Sequence, residues 1–181
     1  WDMLVKDGST PSPSRLLSDM FWAQLPWSDI HSQLGDVNVV DIGCGKGGYS
    51  KRVVEFSNGL VSSYHGLDIS SHSDWEKNIS WAKDIGADIS FETIDIDSNV
   101  ATFDRHIPEG TNFFMSQSCL EHLEKDVSLL KSIKRYITKA GKKCIQVHLV
   151  PAPVSLELYL LHGYRQYGHN AVAKLTRMFV D

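Results

Sequence analysis

Val39-Val40-Asp41-Ile42-Gly43-Cys44-Gly45-Lys46-Gly47-Gly48-Tyr49-Ser50 is the stretch whose reading decides the fold. It reads as a buried strand, a glycine turn and the first residues of a helix. Four of the six residues from Gly43 to Gly48 are glycine. The backbone there can take positive φ and approach a ligand with no Cβ in the way. A helix opening directly after such a turn presents unpaired N–H groups to an anionic ligand group. The pattern predicts a nucleotide-type cofactor site at the carboxyl end of the first strand.

Outward from the turn, apolar runs alternate with helical spacings. Val37–Ile42 is the first strand, and a helix follows from about Gly48 to Phe56, stopped by Asn58-Gly59. Tyr64–Ile69, Ile89–Ile96, Asn112–Gln117 and Lys143–Val150 read as four more strands. Between them fall a helix over Asp74–Lys83 closed by Gly86, a short one over Val100–Arg105, and a long one from Leu120 to Ile137 ended by Gly141. At the N-terminus, residues 7–14 are rich in breakers, and Ser14 caps a helix carrying Leu16, Leu17, Met20, Phe21 and Leu25, which Pro26 ends or kinks. Leu156–Leu161 and Ala171–Phe179 read as helices. The alternation predicts an α/β fold: a doubly wound, mostly parallel sheet with helices on both faces. Three parts are expected: a helical extension or substrate cap over 1–36, a cofactor-binding core over 37–150 and a helical segment over 151–181.

The 181 residues, 42% hydrophobic, suit one globular domain. A net charge of −4 and a pI near 6.0 argue against a sequence-independent grip on nucleic acid. Cys44, Cys119 and Cys144 are odd in number and far apart. They form neither a disulfide framework nor a zinc spacing, and fit a reducing cytoplasm. The histidines show no ligand spacing, so no metal is expected. No apolar run approaches the roughly 20 residues that span a bilayer, and Trp1-Asp2-Met3 has no signal-peptide pattern.

In open α/β sheets ligands sit at the carboxyl ends of the strands. Asp68 ends the second strand, 20 residues past Gly48, and a carboxylate there can accept both hydroxyls of a ribose. Two cofactor classes compete for the turn. Gly43-x-Gly45-x-x-Gly48 fits the dinucleotide fingerprint of NAD(P)-dependent oxidoreductases. Asp41, two residues before the first glycine, would repel a diphosphate and suits a cationic ligand end. Asp41-x-Gly43-x-Gly45-x-Gly47 resembles motif I of the class I S-adenosylmethionine (SAM) methyltransferases. SAM carries an ammonium and a sulfonium and has no phosphate.

The resemblance implies a Rossmann-like methyltransferase fold, SAM as cofactor and S-adenosylhomocysteine as product. It places Asp41, Gly43, Cys44, Gly45, Gly47 and Tyr49 around the cofactor at the turn, and Asp68 with Ile69 at the ribose. Asp95 with Ile96 would meet the adenine, Asp97 being a register alternative. Ser116 and Gln117 would border the methionine part. The run Ser116-Gln117-Ser118-Cys119-Leu120-Glu121-His122-Leu123 looks like the strand-then-Leu-Glu-His segment of enzymes acting on small molecules and sugars. It lacks the Asn/Asp-Pro-Pro-Tyr/Phe and Pro-Cys segments of enzymes that methylate DNA bases. The expected reaction is in-line methyl transfer to an O or N atom of a small-molecule or glycan acceptor.

No catalytic base is fixed. His122 and His148 are the candidates, with helix-start packing and an inward strand face as their structural alternatives. Gly163-Tyr164-Arg165-Gln166-Tyr167-Gly168-His169 either caps the substrate pocket or packs as a linker. Phe21, Trp22 and Trp27 either wall that pocket or fill the core. The resemblance covers Val37 to Val150 and departs beyond it. The family adds a helix and an antiparallel hairpin, where 31 helical-looking residues remain here. The fifth strand then exposes an apolar edge, which a homodimer or further sequence would cover. A non-catalytic module of a larger protein stays open beside the enzyme.

Overall fold

The computed structural model describes residues 12–151 and 163–179. The reading of a helix over Leu156–Leu161, and of residues 7–11 within the breaker-rich stretch, lies outside the described residues. Five strands form one all-parallel sheet: β1 (Val37–Ile42), β2 (Val61–Asp68), β3 (Asp88–Thr93), β4 (Phe113–Gln117) and β5 (Ile145–Leu149), in the order β3-β2-β1-β4-β5. The chain winds outward from β1 to β3, returns across β1, and winds outward again through β4 and β5. The reversal opens a crevice between the carboxyl ends of β1 and β4, where the glycine turn and the Gln117-Ser118 corner stand.

Helices cover both faces. On one lie α1 (Pro13–Ala23), α2 (Trp27–Leu34), α3 (Gly48–Phe56) and α4 (Asp74–Ile85). Trp22, Trp27, Ile30, Tyr49 and Val53 pack there against Val37, Val39, Tyr64 and Phe113 of the sheet. On the other lie α5 (Ile96–Asn99), α6 (Asp126–Ala140) and α7 (His169–Arg177). Val40, Ile42, Leu67 and Phe114 meet Ile96, Leu129, Leu130 and Ile133 on that side. Alternate residues of β1 thus feed opposite cores, as the period-2 geometry of a strand requires.

Asn112 fastens the centre of the sheet. Its side-chain oxygen accepts the Asn38 N–H at 2.9 Å, its amide donates to Asp36 O at 2.8 Å, and its own carbonyl accepts the Ile145 N–H at 2.9 Å. These bonds fix the register of β1, β4 and β5 just before pairing begins.

Several boundaries differ from the sequence expectation. Ser12 caps α1 in place of Ser14, because Pro13 takes the first helical position, where its missing N–H costs nothing. Pro26 separates two helices, so α2 is an added element. The third strand stops at Thr93, three residues early, and the expected Val100–Arg105 helix is replaced by α5 and a 3₁₀ turn over Phe103–His106. Leu120–His122 is a separate 3₁₀ turn, and α6 begins only at Asp126. Trp22 and Trp27 are core residues, at 0% and 5% exposure. β5 has β4 as its strand neighbour among the described residues and is half-buried along its length.

Candidate cofactor site

The glycine turn is held closed from behind. Gly43 and Cys44 both donate their N–H groups to Leu67 O, at 2.8 and 3.0 Å. Gly43 and Gly47 have φ of +73° and +74°. A Cβ at Gly43 would lie 2.2 Å from Cys119 Sγ, and one at Gly47 2.6 Å from the Phe91 ring. Both positions therefore need glycine for conformation and for space. Asp68 Oδ2 accepts the Gly45 N–H at 2.7 Å, and Trp75 Nε1 donates to Gly45 O at 2.8 Å. Asn78 Nδ2 donates to Lys46 O and Gly47 O, at 3.2 and 3.1 Å. Trp75 is itself stacked on Phe91, with ring centroids 4.9 Å apart. Trp75 and Asn78 were not legible in the sequence as parts of this site, since α4 carries no motif.

Asp41 lies behind the turn at 1% exposure. Tyr64 donates its hydroxyl to Asp41 Oδ2, while Asp41 Oδ1 is buried with no hydrogen-bond partner among the described residues. Burial pushes this carboxyl up to about 7; the Tyr64 hydrogen bond opposes the rise and the nearby Asp68 charge adds to it. Burial also raises the Tyr64 phenol, with the Asp41 charge adding to it. A half-satisfied buried carboxylate beside a glycine turn favours a ligand that brings a cation or an N–H donor.

The remaining expected residues divide. Ile69 is 67% exposed directly after Asp68, an apolar side chain left at the rim. Asp95 follows β3 by two residues and caps α5, accepting from Ser98 N at 3.2 Å and Ser98 Oγ at 2.5 Å; these bonds lower its pKa. Ile96 is buried in the core, with its N–H in the first turn of α5, where no intrahelical acceptor exists. Asp97 is engaged elsewhere. It accepts the N–H groups of Glu124 and Lys125, at 3.0 and 2.8 Å, and fixes the entry to α6.

Three side chains point to other work. Tyr49 is 4% exposed and donates its hydroxyl to Asp19 at 2.9 Å; Asp19 also takes Arg52 Nη1 on both oxygens, at 2.7 and 2.6 Å. Tyr49 thus binds α3 to α1. Ser116 is 0% exposed, and its Oγ lies 2.9 Å from His148 Nδ1. Gln117 accepts from Trp22 Nε1 at 3.1 Å and donates to Ser18 Oγ at 2.9 Å, holding α1 to the end of β4. Beyond it, Ser118 takes a φ of +50° and brings Cys119 against Gly43.

His148 lines a cavity of about 450 Å³ between β5 and α7, with Leu120, Leu130, Tyr167 and Leu175. Enclosure by protein lowers its imidazole to about 4, which makes it a weak base. Glu121 and His122 stand in the 3₁₀ turn after β4, not at a helix start, with His122 Nε2 3.9 Å from Glu121 Oε1 and the His122 side chain 43% exposed. The Gly163–His169 stretch is fastened beneath them. Tyr164 N donates to Glu121 O at 2.6 Å, while Arg165 Nε and the Tyr167 hydroxyl reach Asp126 Oδ2 at 2.6 and 2.7 Å. Tyr167 is buried and Tyr164 is 72% exposed, so one segment carries both a packed and an outward aromatic.

No family model matches the chain, and no curated protein matches it. Solved structures do. A protein described as a sarcosine dimethylglycine methyltransferase from Galdieria sulphuraria superposes with a TM-score of 0.62 at 16% identity, over 91% of this chain and 61% of that one. A SAM-dependent methyltransferase from Archaeoglobus fulgidus gives 0.55 at 19% identity, over 90% and 68%. An O-methyltransferase family protein from Burkholderia thailandensis gives 0.58 at 18%, over 92% and 51%. The chain has the class I methyltransferase fold. It spans 61% of the length of the first of these structures. Within this methyltransferase fold the glycine turn, Asp68 and Asp95 lie at the carboxyl ends of β1, β2 and β3. Among the described residues no group of three His, Cys, Asp or Glu side chains is placed to hold a metal. No described helix is long and apolar enough to cross a membrane.

Proposed function

We propose that this chain binds SAM and transfers its methyl group to an O or N atom of a small-molecule or sugar-type acceptor. The observation that carries the reading is Asp41: a buried carboxylate, short of one hydrogen bond, directly behind the glycine turn of a methyltransferase fold. A nicotinamide dinucleotide would bring a diphosphate to this turn, and a buried carboxylate opposes that. The residues present fit SAM. Asp41 suits its ammonium, Asp68 with the exposed Ile69 suits the ribose and one face of the adenine, and Asp95 with the Ile96 N–H suits the adenine edge.

The bound cofactor supplies an electrophilic methyl group on sulfonium, and with it the hard chemistry. The chain's contribution is positioning. Gly43, Gly45 and Gly47 let the backbone approach closely, while Asp68, Trp75 and Asn78 hold that backbone in place before any ligand arrives. Where the acceptor carries a proton of high pKa, half-exposed His122 serves as base in preference to His148, whose enclosure makes it a poor acceptor. The three free cysteines suit a reducing compartment.

A thermal-shift comparison of S-adenosylhomocysteine, SAM, NAD and NADP tests this reading. A ligand at 100 times its Kd adds about 2.7 kcal/mol of stability. Stabilisation by the first two alone is expected. Stabilisation by a nicotinamide cofactor alone would replace the reading with an oxidoreductase, and no response to any would favour a non-catalytic module.

A further inference from the structure

A second cleft adjoins the cofactor site. Its walls are Ser12, Ser14, Arg15 and Ser18 of α1 and its cap, with Gln117 and Ser118 after β4; its floor is Leu149, Val150 and Pro151 after β5. It holds about 260 Å³. Ser118 leads directly to Cys119, which touches the glycine turn at Gly43, so the cleft lies next to the glycine turn. Nothing in the methyltransferase fold itself dictates the charge of such a cleft; the side chains here do.

Those side chains are one-sided. Six of the nine described lining residues are polar: four serines, one glutamine and one arginine. Among the described lining residues none is a carboxylate, in a chain of net charge −4. Arg15 forms no ion pair among the described residues. The reason is local. Asp19, one turn along α1, is already taken by the Arg52 guanidinium and the Tyr49 hydroxyl. Arg15 instead lies over the Tyr49 ring, 5.3 Å from its centroid. That stack restrains a long side chain and lowers the entropy lost when it binds. A cleft lined by hydroxyls and by an arginine, with an apolar floor, matches a planar carboxylate on a small apolar body.

We infer that this cleft is the acceptor site and that Arg15 selects acceptors bearing a carboxylate. The inference rests on the SAM reading for its place in the reaction, and on the cleft's own lining for its chemistry. Ser18 and Gln117 are bonded to each other across the wall, and Gln117 also accepts from the Trp22 indole. Occupancy of the cleft therefore reaches the Trp22 indole N–H, which serves as a reporter.

The test uses the whole chain, isotopically labelled and mixed with S-adenosylhomocysteine, titrated with benzoate and separately with benzamide while the Trp22 indole resonance is followed. Benzoate should bind at least tenfold more tightly than benzamide. Arg15→Gln should remove that preference, and Arg15→Lys should restore part of it, since the charge returns without the planar fork. Equal binding of the two probes, binding of neither, or a preference untouched by Arg15→Gln would overturn the inference. Calorimetry of S-adenosylhomocysteine on the same samples separates the two ideas. A wild-type chain that ignores S-adenosylhomocysteine yet keeps the Arg15-dependent benzoate preference loses the cofactor reading and retains the carboxylate cleft.

Discussion

The Gly45 N–H donates to the Asp68 carboxylate at 2.7 Å, joining the end of β2 to the turn that follows β1. The same carboxylate also accepts the Ser70 N–H at 3.3 Å and lies 3.8 Å from His72 Nε2. One side chain thus shapes the turn from the end of the neighbouring strand, and in the proposed reading it is also the acceptor for a ribose.

Asp68→Ala should therefore weaken S-adenosylhomocysteine binding by about 1–3 kcal/mol, through loss of charge-assisted hydrogen bonds. That is a change of about 5- to 150-fold in Kd. Isothermal calorimetry at neutral pH measures it. Unchanged affinity would remove Asp68 from the site.

Asp41 makes a signed prediction about pH. Its folded pKa, about 7, lies above the ordinary value of 3.8. The folded state then holds a proton that the unfolded chain has released, so this group's contribution to stability falls as pH rises from about 4 to 7. Asp41→Asn keeps an acceptor for Tyr64 and abolishes the titration. Denaturant melts of the variant should gain on the wild type as pH rises, and level off above pH 8. His148, lowered to about 4, works in the opposite direction below its ordinary 6.5. Its effect is common to both proteins and cancels in the difference. A ligand ammonium favours ionised Asp41, so wild-type affinity for S-adenosylhomocysteine should rise through pH 7 while that of Asp41→Asn stays flat.

The Asp19–Arg52 pair predicts strong non-additivity. Asp19 is 1% exposed, and Arg52→Ala would leave its charge with Tyr49 as a neutral donor. The expected cost is about 3 kcal/mol. Adding Asp19→Ala to that variant should cost less than the sum of the two single changes. Urea melts of the four proteins give the coupling directly. A coupling near zero would mean that the ion pair adds nothing to the hold that Trp22 packing and the Gln117 bonds to Trp22 and Ser18 have on α1.

The fold was legible because several local signals agreed. Glycines after β1, apolar runs at strand spacing and Gly86 and Gly141 at helix ends all point to one alternating architecture. Asp68 and Asp41 were legible because a charged residue at the end of an apolar strand is conspicuous. Asp95 was read as the end of the third strand, whereas the strand ends at Thr93 and Asp95 caps the next helix, a difference of two residues within the error of any strand boundary. Tyr49 followed a motif position, whereas its hydroxyl answers to Asp19, 30 residues earlier in the chain. Ser116 was assigned by its place at a strand end, yet period-2 alternation turns it inward toward His148. Leu120-Glu121-His122 was read as helix because its apolar spacing continues into α6; the Asp97 carboxylate, gripping the N–H groups of Glu124 and Lys125, interrupts that run. Arg15 carried no signal at all, since a lone arginine on a surface helix becomes a selector only when folding brings Ser118 and Leu149 opposite it.

The central position of β1 bears on how the chain is made. Val39 pairs with Tyr64 on one side and with Phe113 on the other. During synthesis β2 and β3 leave the ribosome first, so β1 waits with its second edge open until β4 follows. Through that interval the apolar side chains later covered by α6 face water, and a stray strand can take the place of β4. With every ladder in the sheet parallel and each pairing distant in sequence, closure is slow on the scale of small proteins. The nascent chain is thus most exposed to mispairing between translation of β3 and of β4, before the crevice that would receive a ligand exists.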